Sequence, residues 1–481
     1  MPLILGTNSI KDTGFNVDNS LRFNFASSDF LDRTPDSASN RRTFTFSCWV
    51  KRSVLDIRNL FSATGTDAAR PDEIRFSADH RLYVSFRNTE DGIVATARLF
   101  RDVSAWYHIV VAVDTTQATA GNRVKIYVNG VQETTLTGDG AGDSATFPNE
   151  DFESLGFNQA SNHQIGSRVL STPTLYFDGY MSEVIFIDGS ALAADQFGEF
   201  DSDSGIWKPI NVSGLTFGTN GFYLQFKEAG TSQNSSGMGA DTSGNDNHFA
   251  VNNLTALDQS TDTCTNNFAT FNPLYLNSAT TLSEGNLNLA AGGTGWYSHA
   301  ATIGVLTGKF YFEVKCVSLG DGADTIEAMK IGIIQASDMG VDMEVNQNLG
   351  NYYQASGSTG NNGTVTSGTS STRAAYTDGD IIGIALDMTN RKIYYHKNGT
   401  YIDSGDPAAG SNGYVIKSTF LDFLNPVVSV KYDGTVAQAN FGSPSHAISS
   451  GNTDGDGYGN FEYAVPSGYY ALNTKNLAEY G

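Results

Sequence analysis

In residues 124–136, VKIYVNGVQETTL, an Asn-Gly pair stands between two runs of alternating apolar and polar residues. Asn129-Gly130 suits a type I′ turn, whose two central residues both need positive φ, so the stretch predicts an antiparallel hairpin. The same grammar returns in 378–402, DGDIIGIALDMTNRKIYYHKNGTYI, with a second tight turn at Asn398-Gly399. Around them the chain is built of short β-branched and aromatic runs split by Gly, Asn, Asp and Ser, and helical periodicity is nearly absent. At 481 residues it is too long for one core. The pattern predicts an all-β chain of two tandem antiparallel β-sandwiches.

Residues 43–51, TFTFSCWVK, put Phe44, Phe46, Cys48 and Val50 on one face and Thr45, Ser47, Trp49 and Lys51 on the other. That alternation predicts a half-buried strand. Residues 106–114 are apolar on both faces, as an inner strand is. Residues 173–192 predict two strands around Asp178-Gly179, whose Asp-Gly chemistry suits a tight turn, and 191–200 a short helix. Residues 309–317, 330–335, 426–431 and 436–442 supply strands to the second half. The Gly/Ser/Asn-rich stretch 228–247 reads as a linker or as a long loop inside the first domain. With the boundary near 266–273, the domains are 1–265 and 266–481, the latter carrying a C-terminal extension. Residues 355–372 predict a mobile polar loop. Trp49, Trp106, Trp207 and Trp296 lie beside strand signals and are expected to pack. Both halves repeat inner strand, acidic turn, alternating strand and Asn-Gly hairpin; common ancestry and independent reuse of hairpin grammar each account for this.

Lys and Arg number 29 against 51 Asp and Glu, a net charge of −22. This argues against nucleic acid, whose phosphates need a basic footprint, and against an anionic membrane surface. No apolar run is long enough to span a bilayer, and Met1-Pro-Leu-Ile-Leu-Gly lacks the basic start and length of a secretory signal, so a soluble cytoplasmic product is expected. Cys48, Cys264 and Cys316 are odd in number and far apart, and they form neither a disulfide framework nor a CxxC knuckle. Cys48 and Cys316 read as buried free thiols.

Several of these strands carry a family likeness. Phe46-Ser47-Cys48-Trp49-Val50, Trp106-Tyr107-His108-Ile109-Val110, Tyr127-Val128-Asn129-Gly130 and Phe177-Asp178-Gly179-Tyr180-Met181-Ser182-Glu183-Val184 resemble the laminin-G-like, concanavalin-A-like lectin domain over roughly residues 15–250. Gly308-Lys309-Phe310-Tyr311-Phe312-Glu313-Val314, then Asp378 to Asp387, Tyr394, Lys397-Asn398-Gly399, Asn425-Pro426-Val427-Val428 and Asn440-Phe441-Gly442, resemble the SPRY domain over about residues 270–445. Both resemblances imply jelly-roll sandwiches. The opening Asn19-Ser20-Leu21-Arg22-Phe23-Asn24, the junction from Thr265 to Leu274 and the ending from Pro466 to Leu477 are similar to structural proteins of tailed bacteriophages. That resemblance implies a virion component, such as a tail fibre, spike, head fibre or decoration protein. Its partners would be other virion proteins and a host-surface polysaccharide or protein. A homo-oligomer is compatible with this, although no heptad repeat is present to drive one.

Catalysis is not expected. Glucanases on such sandwiches need two carboxylates facing a cleft, and the nearest run, Glu150-Asp151-Phe152-Glu153, lacks the spacing. There is no HExxH, GxSxG or P-loop pattern. No cofactor is required, and calcium is the one the pattern allows. Asn452, Asp454 and Asp456 alternate before Gly457 like the front of an EF-hand loop, but Tyr463 stands where the bidentate Glu belongs and Glu462 falls one early. A polar Gly-rich loop is the other reading. Asp241, Asn245 and Asp246 form a second such loop. Tyr352, Tyr353 and Tyr376 flank the low-complexity stretch and are the binding candidates, with packing as their alternative role.

Overall fold

The alternating residues 43–51 become the strand Thr43–Arg52, held on both sides by antiparallel partners. Phe46 lies opposite Val111 of Tyr107–Asp114 and opposite Phe186 of Gly179–Asp188. The computed structural model describes residues 9–481 except 66–69, 88–90, 141, 276–277, 321–326, 343–349, 362–363 and 367–372. The N-terminal run 1–6 therefore lies outside the described residues. By contacts the chain divides into one unit of Thr13–Thr265 and a second of residues 266–481 together with 9–12.

The first unit is two eight-stranded sheets whose strands pair antiparallel throughout. One runs outward from Thr43–Arg52 through Tyr107–Asp114 and Val124–Val128. The other is centred on Arg58–Ala63, Asp72–Phe76 and Leu82–Phe86. Phe44, Phe46, Cys48 and Val50 enter the core between them, where the rings of Phe46 and Phe61 stack at 5.1 Å. The opposite face of the 43–52 strand is also buried, contrary to the half-buried strand expected. Leu192, Phe197, Trp207, Val212 and Phe217 fold across it and pack with Trp49, Trp106 and Tyr180. Residues 173–192 yield one strand, Gly179–Asp188, not two. The expected helix at 191–200 is a single 3-10 turn, Ala194–Gln196, followed by the strand Gly198–Phe200 paired with Trp207–Pro209. So short a segment cannot recover the cost of nucleating an α-helix, whereas a hairpin can rest on the sheet. The stretch 228–247 is a loop of this unit: Asn247 Nδ2 donates to Thr219 and Gly221 carbonyls at 3.0 and 2.8 Å.

The second unit holds a nine-stranded and a six-stranded sheet. Along Lys309–Leu319, Phe310, Phe312, Val314 and Cys316 face the core. Tyr311, on the other face, is covered by Phe461, Tyr469 and Ala471 of the C-terminal extension. The same stratagem thus recurs: each unit folds its own late segment over the outer face of one of its two main sheets. Within 355–372, Thr359–Asn361 and Thr364–Thr366 are strands that extend the six-stranded sheet. Alternation there was masked by Gly and Ser, and residues 362–363 and 367–372 lie outside the described residues. The chain ends in the helix Thr474–Tyr480, N-capped by the Asn473 side chain. Among the described residues no helix is long and apolar enough to cross a membrane.

Both Asn-Gly turns adopt the geometry their sequence demands, with φ of 48° and 80° at Asn129-Gly130 and 48° and 81° at Asn398-Gly399. Each asparagine also extends the ladder sideways. Asn129 accepts from His108 N at 2.7 Å and donates its own N–H to the His108 carbonyl. Asn398 does the same with Ile381, accepting at 2.8 Å. A Cβ on Gly130 would sit 2.3 Å from the Trp207 ring. Gly130→Ala should therefore cost about 2–4 kcal/mol and lower the melting temperature of the first unit by about 5–15 °C. Gly205→Ala, at φ 69° with open space around it, should cost only about 1 kcal/mol. Differential scanning calorimetry of both variants checks the contrast.

Candidate functional site

The acidic loops come first, because their carboxylates carry the expected metal chemistry. Asp454 is buried, and both its oxygens are taken. Oδ1 accepts from Asp456 N and Tyr458 N at 3.0 and 2.9 Å; Oδ2 accepts from Ala471 N and Asn476 Nδ2 at 2.9 and 2.8 Å. Asn452 turns away into a bridge with Phe461, and Asp456 accepts from the Tyr480 hydroxyl at 3.0 Å. Of the two readings of this loop, the polar Gly-rich one describes what the Asp454 side chain does: four N–H donors occupy the lone pairs an ion would need. Asp241 is built alike, accepting from Tyr223 N, Ser243 N, Ser243 Oγ and Asn247 N at 2.8–2.9 Å. Asn245 donates to the Gly218 and Gly221 carbonyls, and Asp246 is exposed. Among the described residues no group of three or more His, Cys, Asp or Glu is placed to hold a metal ion.

The binding role considered for Tyr352, Tyr353 and Tyr376 is corrected to their other reading, packing. All three are buried, so none is presented to a ligand. Tyr376 donates to the Met329 carbonyl at 2.9 Å and meets Tyr353 edge-on at 5.3 Å. The low-complexity stretch beside them hid the strand Gly350–Gln354, which carries two of these rings into the sheet. The carboxylates of the 150–153 run face arginines: Asp151 and Glu153 meet Arg42, Glu153 also Arg41, and Glu150 meets Arg123.

Beneath the covering segments lie buried polar groups. His108 is stacked between Trp49 and Trp207, at 4.8 and 5.9 Å. Trp207 Nε1 can only donate, so His108 Nδ1 accepts at 3.0 Å and Nε2 carries the proton, 2.9 Å from Ser47 Oγ. In the second unit Gly399 N donates to His396 Nδ1 at 3.1 Å. His396 Nε2–H then donates to the Tyr311 oxygen at 2.7 Å, and Tyr311 donates to Glu313 at 2.9 Å. Glu313 also accepts from Glu462 N, Tyr463 N and Asn440 Nδ2, which fills its four acceptor sites. A third cluster sits at a β-bulge in Gly179–Asp188, where Glu183 takes φ 50° and accepts from the Tyr223 hydroxyl. Burial raises the Glu183 carboxyl to about 7, and the Tyr223 bond works against that rise.

Burial holds His108 and His396 down to about 3, and His163 and His299 down to about 4. Unfolded histidine takes a proton near 6.5, so between these values the unfolded chain binds more protons. Stability is therefore full above about pH 6.5 and is lost as pH falls toward 4. Glu183 has the opposite sign: its contribution is present below its unfolded value of 4.5 and is lost as pH rises through about 7. Urea midpoints should fall from pH 7 to pH 4 in both units. Glu183→Gln should steepen that fall in the first unit, because it removes the term that gains on the acid side.

What reaches solvent is aliphatic more than aromatic. Among the described residues every Trp and Tyr is at least partly buried, and Phe25 and Phe200 are the exposed rings, at 46% and 52%. Arg58 lies over Phe25 at 4.2 Å, and Phe200 meets Trp207 edge-on at 4.9 Å. Leu421, by contrast, is 85% exposed.

Residues 27–196 match the family described as the concanavalin A-like lectin/glucanases superfamily, and residues 309–444 match the SPRY domain. The chain pairs a concanavalin A-like domain with a SPRY domain. No curated protein matches it. Among solved structures, the SPRY domain of human HERC1 is similar at 21% identity, covering 35% of this chain and 96% of that one with a TM-score of 0.27. A native heptameric SAP-like pentraxin from Limulus polyphemus is similar at 14% identity, covering 37% and 80% with a TM-score of 0.26. At these values neither likeness adds to what the two domain families give. Concanavalin A-like and SPRY domains are typically binding modules, and the superfamily matched by residues 27–196 holds glucanases as well as lectins. The sequence did not point to Glu313 as a buried acceptor. Asx-turn grammar, Asp-x-Ser in 241–243 and Asp-Gly-Asp-Gly in 454–457, could have found the two loop carboxylates.

Proposed function

We propose that the chain is a non-enzymatic attachment protein of a tailed-bacteriophage particle, binding a host-surface glycan or protein through loops carried on the two sandwiches. The observation that carries the binding part is the saturation of its buried polar chemistry. Asp241, Asp454, Glu313, His108 and His396 are all bonded within the protein, which leaves rigid sheets as supports and loops as the surface that can meet a ligand. The particle assignment is supported by the likeness of residues 19–24, 265–274 and 466–477 to phage structural proteins, and it requires no cofactor. Mass spectrometry of purified particles should find the chain, and antibody against it should block adsorption. Its absence from particles would overturn the assignment.

One observation favours a second reading, a decoration or adaptor protein docked on neighbouring virion proteins without a glycan site. Sugar faces stack on exposed aromatic rings, whereas the most exposed apolar side chain here is aliphatic. Under this reading antibody leaves adsorption intact, and a glycan array is silent with and without EDTA. Under the first, at least one glycan binds or adsorption is blocked.

A further inference from the structure

The loop 416–424 of the SPRY unit is tightly held, yet the side chain at its tip touches little. Arg391 donates to the Lys417 and Phe420 carbonyls, both at 2.8 Å. Leu421 N donates to Gln335 Oε1 at 3.1 Å, and the Phe423 carbonyl accepts from Ala336 N at 2.8 Å. The backbone is thus fixed on both sides of Leu421, whose side chain stands in water. Holding a leucine out this way forgoes the free energy its burial would contribute. Its base is apolar: Phe423 and Tyr275 pack on Ile334, Ala336, Met339 and Val427. Beside those residues stand two further exposed aliphatics, Leu274 next to Tyr275 and Val341 beyond Gly340, whose Cβ position lies 2.9 Å from the Tyr275 ring.

Carboxylates mark the same rim. Asp338 accepts from the Gln335 amide at 2.8 Å and Asp422 from Phe423 N at 2.8 Å, both neutral donors, and among the described residues neither carboxylate forms an ion pair. Lys417, the cation of the loop, lies over the Phe420 ring at 5.7 Å. A second copy of the chain would bring its own charge of −22 to this rim, and an anionic lipid surface would be repelled likewise. The geometry points to a docking surface around Leu421 for a basic protein segment, one that offers an apolar seat for the leucine and Lys or Arg to Asp338 and Asp422. This rests on the reading of the chain as a binding protein, and it holds whether or not the chain is found on particles.

The test titrates the intact chain into a fluorescein-labelled amphipathic leucine–lysine peptide, with serine–lysine and leucine–glutamate peptides alongside. Only the leucine–lysine peptide should bind. Leu421→Asp should weaken it about tenfold or more, as at an interface anchor. Asp338→Asn with Asp422→Asn should weaken it about 3–10-fold and flatten its salt dependence. Gln335 and the backbone keep the loop in place in these surface variants, and circular dichroism confirms folding. Equal binding of the serine–lysine peptide, no binding of any peptide, or an unchanged affinity in Leu421→Asp would each overturn the proposal. A dimer in sedimentation that Leu421→Asp dissolves would overturn it in favour of a second copy.

Discussion

Lys51→Met is expected to destabilise the concanavalin A-like unit by about 3–5 kcal/mol, read as a lower urea midpoint by tryptophan fluorescence. Lys51 and Asp262 are both buried on the outer face of the sheet, with Nζ 2.7 Å from Oδ2. Trp106 Nε1 donates to the other oxygen at 3.1 Å, and the ammonium lies 5.4 Å from the centre of the Tyr180 ring. Removing the cation leaves a carboxylate in an apolar layer without its counter-charge, and that desolvation is what the variant loses. The double variant Lys51→Met with Asp262→Leu removes both charges and should recover most of the loss, because a buried pair is worth little net against apolar residues of similar size. A single variant within about 1 kcal/mol of the parent would mean the pair is hydrated in solution.

Glu313→Ala should cost the SPRY unit a similar amount, about 3–5 kcal/mol, for a different reason. Four donors converge on this carboxylate: Tyr311 and Tyr463 on Oε1, Glu462 and Asn440 on Oε2, at 2.8–3.3 Å. Alanine leaves them without acceptors in a buried layer, and each orphaned donor costs about 1–3 kcal/mol before relaxation. Glu313→Gln should recover little, since its NH2 would face backbone N–H or amide donors. Because Glu462 and Tyr463 belong to the covering segment, the loss should appear first as protease sensitivity near 449–463, ahead of global unfolding.

Much of the local architecture was legible in the chain. The two Asn-Gly turns, the core faces of 43–52 and 309–319 and the buried thiols Cys48 and Cys316 follow from period, turn chemistry and composition. What failed did so for one physical reason: a strand's alternation reports polarity, and polarity was read as exposure. Ser47, Lys51, Tyr311 and Glu313 lie on faces that look solvated in sequence and are buried in the fold. An Asp-rich loop has one composition whether its oxygens hold an ion or backbone N–H groups, so the pattern at 452–457 left both readings open. Tyr352, Tyr353 and Tyr376 failed because the weak pattern next to them concealed the strand that buries them.

The kind of element was readable along the chain: short antiparallel strands, tight hairpins at Asn129-Gly130 and Asn398-Gly399, and two cores. These follow from local rules, since φ preference and side-chain period act within a few residues. Which second face is covered depends on contacts distant in the chain. Lys51, His108 and Glu313 bond to partners 211, 99 and 149 residues away along the chain. No local pattern encodes a hydrogen bond across such distances; the folded chain must first bring its late segments back onto the sheets.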